Sequence, residues 1–187
     1  MPLTSTMVLG AFSLLGLALI LRVLTLKSKG HGMLGSPTID PFYFYSAKGA
    51  LFFSWGLFMC KALVPSLGYI PTPAWLQWIA IIFLCLGCLF MIFAFFNLGT
   101  ALKVGLPGEE TELVNTGIYQ FSRNPIYLGV HLITLASCIY FPDLANFGFA
   151  AYALFVHHQI AIAEEIFLQR KFGTAYEEYK RKVRRYL

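Results

Sequence analysis

Five apolar runs, at about residues 5–26, 42–64, 74–98, 125–141 and 144–167, are separated by short polar stretches. At about 1.5 Å per residue, each run can cross most or all of a hydrocarbon core near 30 Å, and the fourth is the shortest. Their starts carry matching punctuation. Asp40-Pro41, Thr72-Pro73 and Asn124-Pro125 each put a capping side chain before a proline at the first helical position. Asp143 stands ready to cap the fifth run, so helices four and five form a tight hairpin. Trp75 and Trp78 fall where an aromatic belt would hold the third helix at the interface.

Two stretches do not fit a membrane helix. Residues 99–124 form a polar connection with Gly99, Gly105, Pro107, Gly108 and three glutamates. After Gly173, Thr174-Ala-Tyr-Glu177 has the form of a capping box. Tyr176, Tyr179, Val183 and Tyr186 follow at helical spacing with Arg and Lys on the other face, which predicts an interfacial helix. The expected fold is therefore an all-α integral membrane protein of about five transmembrane helices with a C-terminal amphipathic interfacial helix. It forms a single membrane domain, with three N-terminal spans over 1–98 and a core over 99–187.

Composition supports lipid as the solvent. The 187 residues are 58% hydrophobic and 12% charged, against about 25% charged in soluble domains. The net charge is +5, but the basic residues cluster beside apolar spans, which suits anionic headgroups and not nucleic acid. With the N-terminus outside, Arg22, Lys27, Lys29, Lys48, Lys103, Arg123 and the basic tail are all cytosolic, and only Lys61 falls opposite. The first run, Met7 to Leu26, has neither a basic region before it nor a small-residue cleavage site after it, so it is expected to span. Cys60, Cys85, Cys88 and Cys138 all lie in apolar stretches and predict no disulfide framework. The Cys85/Cys88 pair is expected to serve packing.

Two polar constellations could carry chemistry. Arg123 directly precedes Asn124-Pro125, so a guanidinium and a helix N-terminus converge where a carboxylate or phosphate would be favoured. The plain alternative is a capped helix with a snorkelling arginine. On the fifth run, His157-His158 precedes Glu164-Glu165 by seven residues, so His157 shares a helix face with Glu164, and His158 with Glu165. Adjacent histidines point about 100° apart on a helix and cannot easily bind one ion, so no metal is expected. Adjacent carboxylates at the end of an apolar helix default to a functional reading, beside the simpler one of charges reaching water. Helix four leaves the face to which helix five returns, so the arginine and the glutamates are expected to meet. An anion-receiving helix end opposite carboxylates suits a zwitterion.

These residues fall in ordered blocks. Leu113 to Tyr119, Ser122-Arg123-Asn124-Pro125-Ile-Tyr127-Leu128-Gly129, Glu164-Glu165-Ile-Phe-Leu168, and Phe172-Gly173-Thr-Ala-Tyr176-Glu-Glu-Tyr179 resemble the signature of the isoprenylcysteine carboxyl methyltransferase family, within the wider phospholipid methyltransferases. The resemblance covers roughly half the chain. It implies a cytosolic pocket for S-adenosylmethionine, with S-adenosylhomocysteine as product. Gly117, Tyr119, Arg123, Asn124, Pro125, Tyr127, Leu128, His157, Glu164 and Glu165 would contribute to that pocket, and Arg123, Glu165 and His158 to catalysis. The glutamates would engage the cofactor's amino group or the charge near its sulfonium. Asn124 stands where the best-known eukaryotic members have histidine, and asparagine cannot titrate.

The expected function is methyl transfer to a lipophilic acceptor, most like isoprenylcysteine carboxyl methylation. Holding donor and acceptor together and excluding water supplies most of the catalysis. A carboxylate acceptor needs no base; for an amine or thiol, Glu165, His157 or His158 could take the proton. The alternatives are a phospholipid or small thiol or amine as acceptor, an NADPH enzyme resembling the sterol reductases, and a non-enzymatic membrane scaffold.

Overall fold

A computed structural model describes residues 1–32, 35–106 and 111–187. Pro107, Gly108, Glu109 and Glu110 of the polar connection lie outside the described residues. Among the described residues six α-helices follow one another: α1 (Leu3–Ser28), α2 (Pro41–Leu63), α3 (Ala74–Asn97), α4 (Pro125–Tyr140), α5 (Leu144–Phe172) and α6 (Thr174–Lys182). Short 3-10 turns occupy Gly99–Ala101 and Gly117–Gln120. Among the described residues there is no strand, only an isolated bridge between Ser36 and Leu106.

All five apolar runs are helices, but α1 and α3 alone among the described helices are both long and apolar enough to cross a membrane by themselves. The short α4 is apolar, while polar residues such as Lys48 in α2 and Asn146, His157 and His158 in α5 dilute those two.

The helix starts divide by what their capping side chains can reach. Asp40 accepts from the N–H of Phe42, and Asp143 from those of Ala145 and Asn146, as expected. Thr72 does not cap α3, because its hydroxyl donates to the carbonyl of Tyr140, 2.9 Å away. Asn124 does not cap α4, because its amide is drawn to Glu165. The capping box at Thr174 is also absent. Gly173 precedes α6 at φ +52°, Thr174 is already helical, and Glu177 accepts instead from Gln169. Helix α6 ends at Lys182, so Tyr186 lies in an extended tail and not on the helical face expected for it.

α3 packs most extensively on α4, and α2 on α5. Val8, Phe58, Leu84, Ile133 and Ala136 fill the centre and are fully buried. Small polar groups tie helices together there. Ser54 donates to Asn146 at 2.7 Å, and Trp55 to Thr134 at 3.0 Å. Such interhelical bonds suit an apolar solvent, which offers no competing partner. Leu14, Leu17, Ile20, Ile82, Leu89, Phe93 and Phe155 point outward. Apolar surface on that scale marks a membrane or partner contact.

Candidate functional site

One end of the bundle gathers the start of α4, the end of α5, α6 and the tail. Gly173 reverses the chain after α5, and α6 lays Tyr176 and Tyr179 on Tyr119 and Ala94. The tyrosine face expected to lie in the interface therefore covers protein. Tyr179 donates to the carbonyl of Tyr119 at 2.6 Å. Beyond α6 the tail runs beside the start of α4. The N–H groups of Arg123 and Asn124 donate to the carbonyls of Arg184 and Arg185, at 3.0 and 3.1 Å.

Glu165 is the centre of this assembly. Its carboxylate accepts from Arg123 at 3.1–3.4 Å, from the Asn124 amide at 2.7 Å, and from two nitrogens of Arg185 at 3.1 Å. The side chains of Arg123 and Glu165 are each 7% exposed. The remaining edge of Arg123 donates to the carbonyls of Lys180 and Val183. Bonding to Glu165 holds the Arg185 guanidinium above its ordinary range. Arg123 is thus neither snorkelling nor free, because its whole fork is engaged within the protein.

The adjacent Glu164 faces elsewhere. It borders a cavity of about 410 Å³, within the usual range of about 300–1,000 Å³ for small-molecule sites. Tyr127 donates to Glu164 at 2.7 Å. His157 borders the same cavity, and its Nδ1 lies 2.7 Å from the carbonyl of Ala153, which places the proton there and leaves Nε2 as an acceptor. His158 turns the other way, with Nδ1 2.8 Å from the hydroxyl of Tyr186. The seven-residue pairing therefore appears as two faces of one helix. His157 and Glu164 look into the cavity, while His158 and Glu165 look toward the tail.

Tyr119, Arg123 and Asn124 also border the cavity, as do Lys103, Thr111 and Glu112 of the polar connection. Burial pushes the Tyr119 phenol well above its usual range, with Tyr179 adding to the effect, so Tyr119 stays neutral. Gly117, Pro125, Leu128, Glu165 and His158 do not border the cavity. Gly117 serves the turn instead, at φ +59° and against Asn97, which accepts from the N–H of Ile118 at 2.8 Å. Pro125 opens α4, and Leu128 is buried in packing.

The first turn of α4 is uncapped by any side chain, and the N–H groups of Ile126 and Tyr127 have no partner among the described residues. Free donors of this kind favour an anion. Beside Glu164 they supply the two poles that an amino acid zwitterion needs, so the donor set fits the aminocarboxypropyl end of S-adenosylmethionine.

Lys48 of α2, expected only as a cytosolic charge, also borders the cavity. The signal was available. An ionisable residue inside an apolar run is a functional candidate by default.

Residues 75–175 match the family model described as phospholipid methyltransferase. A search of curated proteins finds no significant match. The matched segment contains Tyr119, Asn124, Tyr127, His157 and Glu164, all on the cavity wall. With more than half of its length in the match, the chain belongs to the phospholipid methyltransferase family of membrane enzymes.

Proposed function

We propose that the chain transfers a methyl group from S-adenosylmethionine to a lipophilic acceptor, of the isoprenylcysteine or phospholipid kind. The observation that carries this reading is the convergence of Glu164, Tyr127, His157 and the uncapped start of α4 on one cavity within the family segment. The bound cofactor would supply an electrophilic methyl on a sulfonium. Glu164, held by Tyr127, would receive the cofactor's ammonium, and the N–H groups of Ile126 and Tyr127 its carboxylate. Arg123 and Glu165 would act as positioning residues that fix the start of α4 through the tail. If the acceptor is an amine or thiol, His157 Nε2 would take the proton released. A carboxylate acceptor releases none.

In the same reading, all five long helices cross the membrane within one domain, N-terminus outside and site cytosolic. The basic residues at the site end and the outward apolar side chains support it.

Calorimetry of the detergent-purified protein tests the cofactor. S-adenosylhomocysteine should bind, and NADPH should not. Glu164→Gln should fold but bind S-adenosylhomocysteine at least about tenfold more weakly, about 1.4 kcal/mol. Binding of NADPH alone would overturn the reading in favour of a reductase, and wild-type affinity in Glu164→Gln would remove that carboxylate from the site.

A further inference from the structure

Position 48 places a cation in an otherwise apolar stretch of cavity wall. Lys48 borders the cavity together with Leu51 and Phe52 of α2 and Leu19 of α1. Its ammonium lies 3.6 Å from the centroid of the Phe44 ring. Among the described residues Lys48 has no hydrogen bond and no ion pair, and Glu164 acts on it only at longer range. A half-buried charge costs free energy unless something pairs with it. A ring face returns only about 0.5–2 kcal/mol of that. The ammonium is therefore available to an anion entering the cavity.

The same wall continues onto the outside of the bundle. Leu19 is 38% and Phe52 67% exposed, so apolar surface leads from the lipid-facing side to the ammonium. A ligand that follows this path is an amphiphile, with its chain along the apolar side chains and its head at Lys48. Glu164 would repel a second anion, so a negative head is held on the α2 side, away from the carboxylate proposed for the cofactor. Lys48 also lies outside the matched segment 75–175. The family match therefore does not extend to Lys48, whereas it does include Tyr127 and Glu164 of the proposed cofactor site.

We propose that Lys48 is the specificity-determining residue for the methyl acceptor, its ammonium receiving the anionic headgroup of an amphiphile whose chain lies along Leu19, Leu51 and Phe52. This rests on the methyltransferase reading and names its substrate class. The test compares binding of N-oleoylglycine with that of its neutral amide, on detergent-purified protein with and without saturating S-adenosylhomocysteine. The wild type should bind the carboxylate at least about tenfold more tightly than the amide. Lys48→Gln should lose that preference and Lys48→Arg keep it, both variants binding S-adenosylhomocysteine within about twofold of wild type. No preference in the wild type, or an undiminished one in Lys48→Gln, overturns the proposal. So does a tenfold loss of S-adenosylhomocysteine affinity in Lys48→Gln, which would assign the ammonium to the cofactor. If the wild type fails to bind S-adenosylhomocysteine, the methyltransferase reading falls, and the comparison made without it still decides whether Lys48 reads an anion.

Discussion

Glu165→Ala is expected to lower the unfolding free energy by about 3–5 kcal/mol, the loss typical when one member of a buried ion pair is removed. The carboxylate is 7% exposed and joins Arg123, Asn124 and Arg185, which come from two distant parts of the chain. Without it, Arg123 keeps only the carbonyls of Lys180 and Val183, and its charge stays buried without a counter-ion. The tail would lose the Arg185 pair that holds it beside the start of α4. Glu165→Gln retains an oxygen acceptor for Asn124 but no charge, so it should fall between wild type and alanine. Glu177→Gln is the control. Glu177 is exposed and, among the described residues, its carboxylate holds Gln169 alone, so its loss should stay within about 0.5 kcal/mol. Thermal melting in detergent ranks the variants. A Glu165→Ala melting temperature equal to that of Glu177→Gln would show that the cluster does not hold this end together.

The cluster also shows where sequence reasoning stops. The five apolar runs appear as α1 to α5 because hydrophobicity is a local property, counted residue by residue. Asp40 and Asp143 cap as expected because each reaches an N–H two residues away. Thr72 and Asn124 depart from expectation for reasons of tertiary structure, and Thr174 for a local one. Tyr140 and Glu165, which engage the first two, lie 68 and 41 residues along the chain. The reversal at Gly173 made Thr174 part of the helix it was expected to cap. The helical period correctly paired His157 with Glu164 and His158 with Glu165. It could not say which pair faces the cavity, because that depends on where α2 and the tail pack against α5. Arg123 was legible as an anion receiver. Its anion is the protein's own Glu165, a choice that only the assembled fold displays.

Gly129→Val is expected to push α3 and α4 apart and destabilise the whole bundle. In the sequence this glycine reads as one letter of a family motif, whereas in the structure it is a point of close approach. A Cβ at 129 would meet Met91 Cγ at 2.5 Å and the carbonyl oxygen of Gly87 at 2.6 Å. The methionine can swing away, but the carbonyl belongs to the backbone of α3 and moves only with the helix. The contact is reciprocal, since a Cβ at Gly87 would lie 2.8 Å from the carbonyl of Gly129. Close approach through small residues is how helices associate in lipid, where burial between helices supplies little drive. Gly129→Ala should therefore cost about 1–3 kcal/mol as an overpacked site, and Gly129→Val more. Because Ile126, Tyr127 and Val130 of α4 and Phe95 of α3 line the cavity, its walls would part as well, and affinity for S-adenosylhomocysteine should fall with stability. Gly148→Ala on α5 gives the contrast. Nothing lies within 4 Å of a Cβ there, and alanine is the better helix former by about 1 kcal/mol, so that variant should melt at or above wild type. Equal melting temperatures for Gly129→Ala and Gly148→Ala would mean that α3 and α4 do not cross at these glycines.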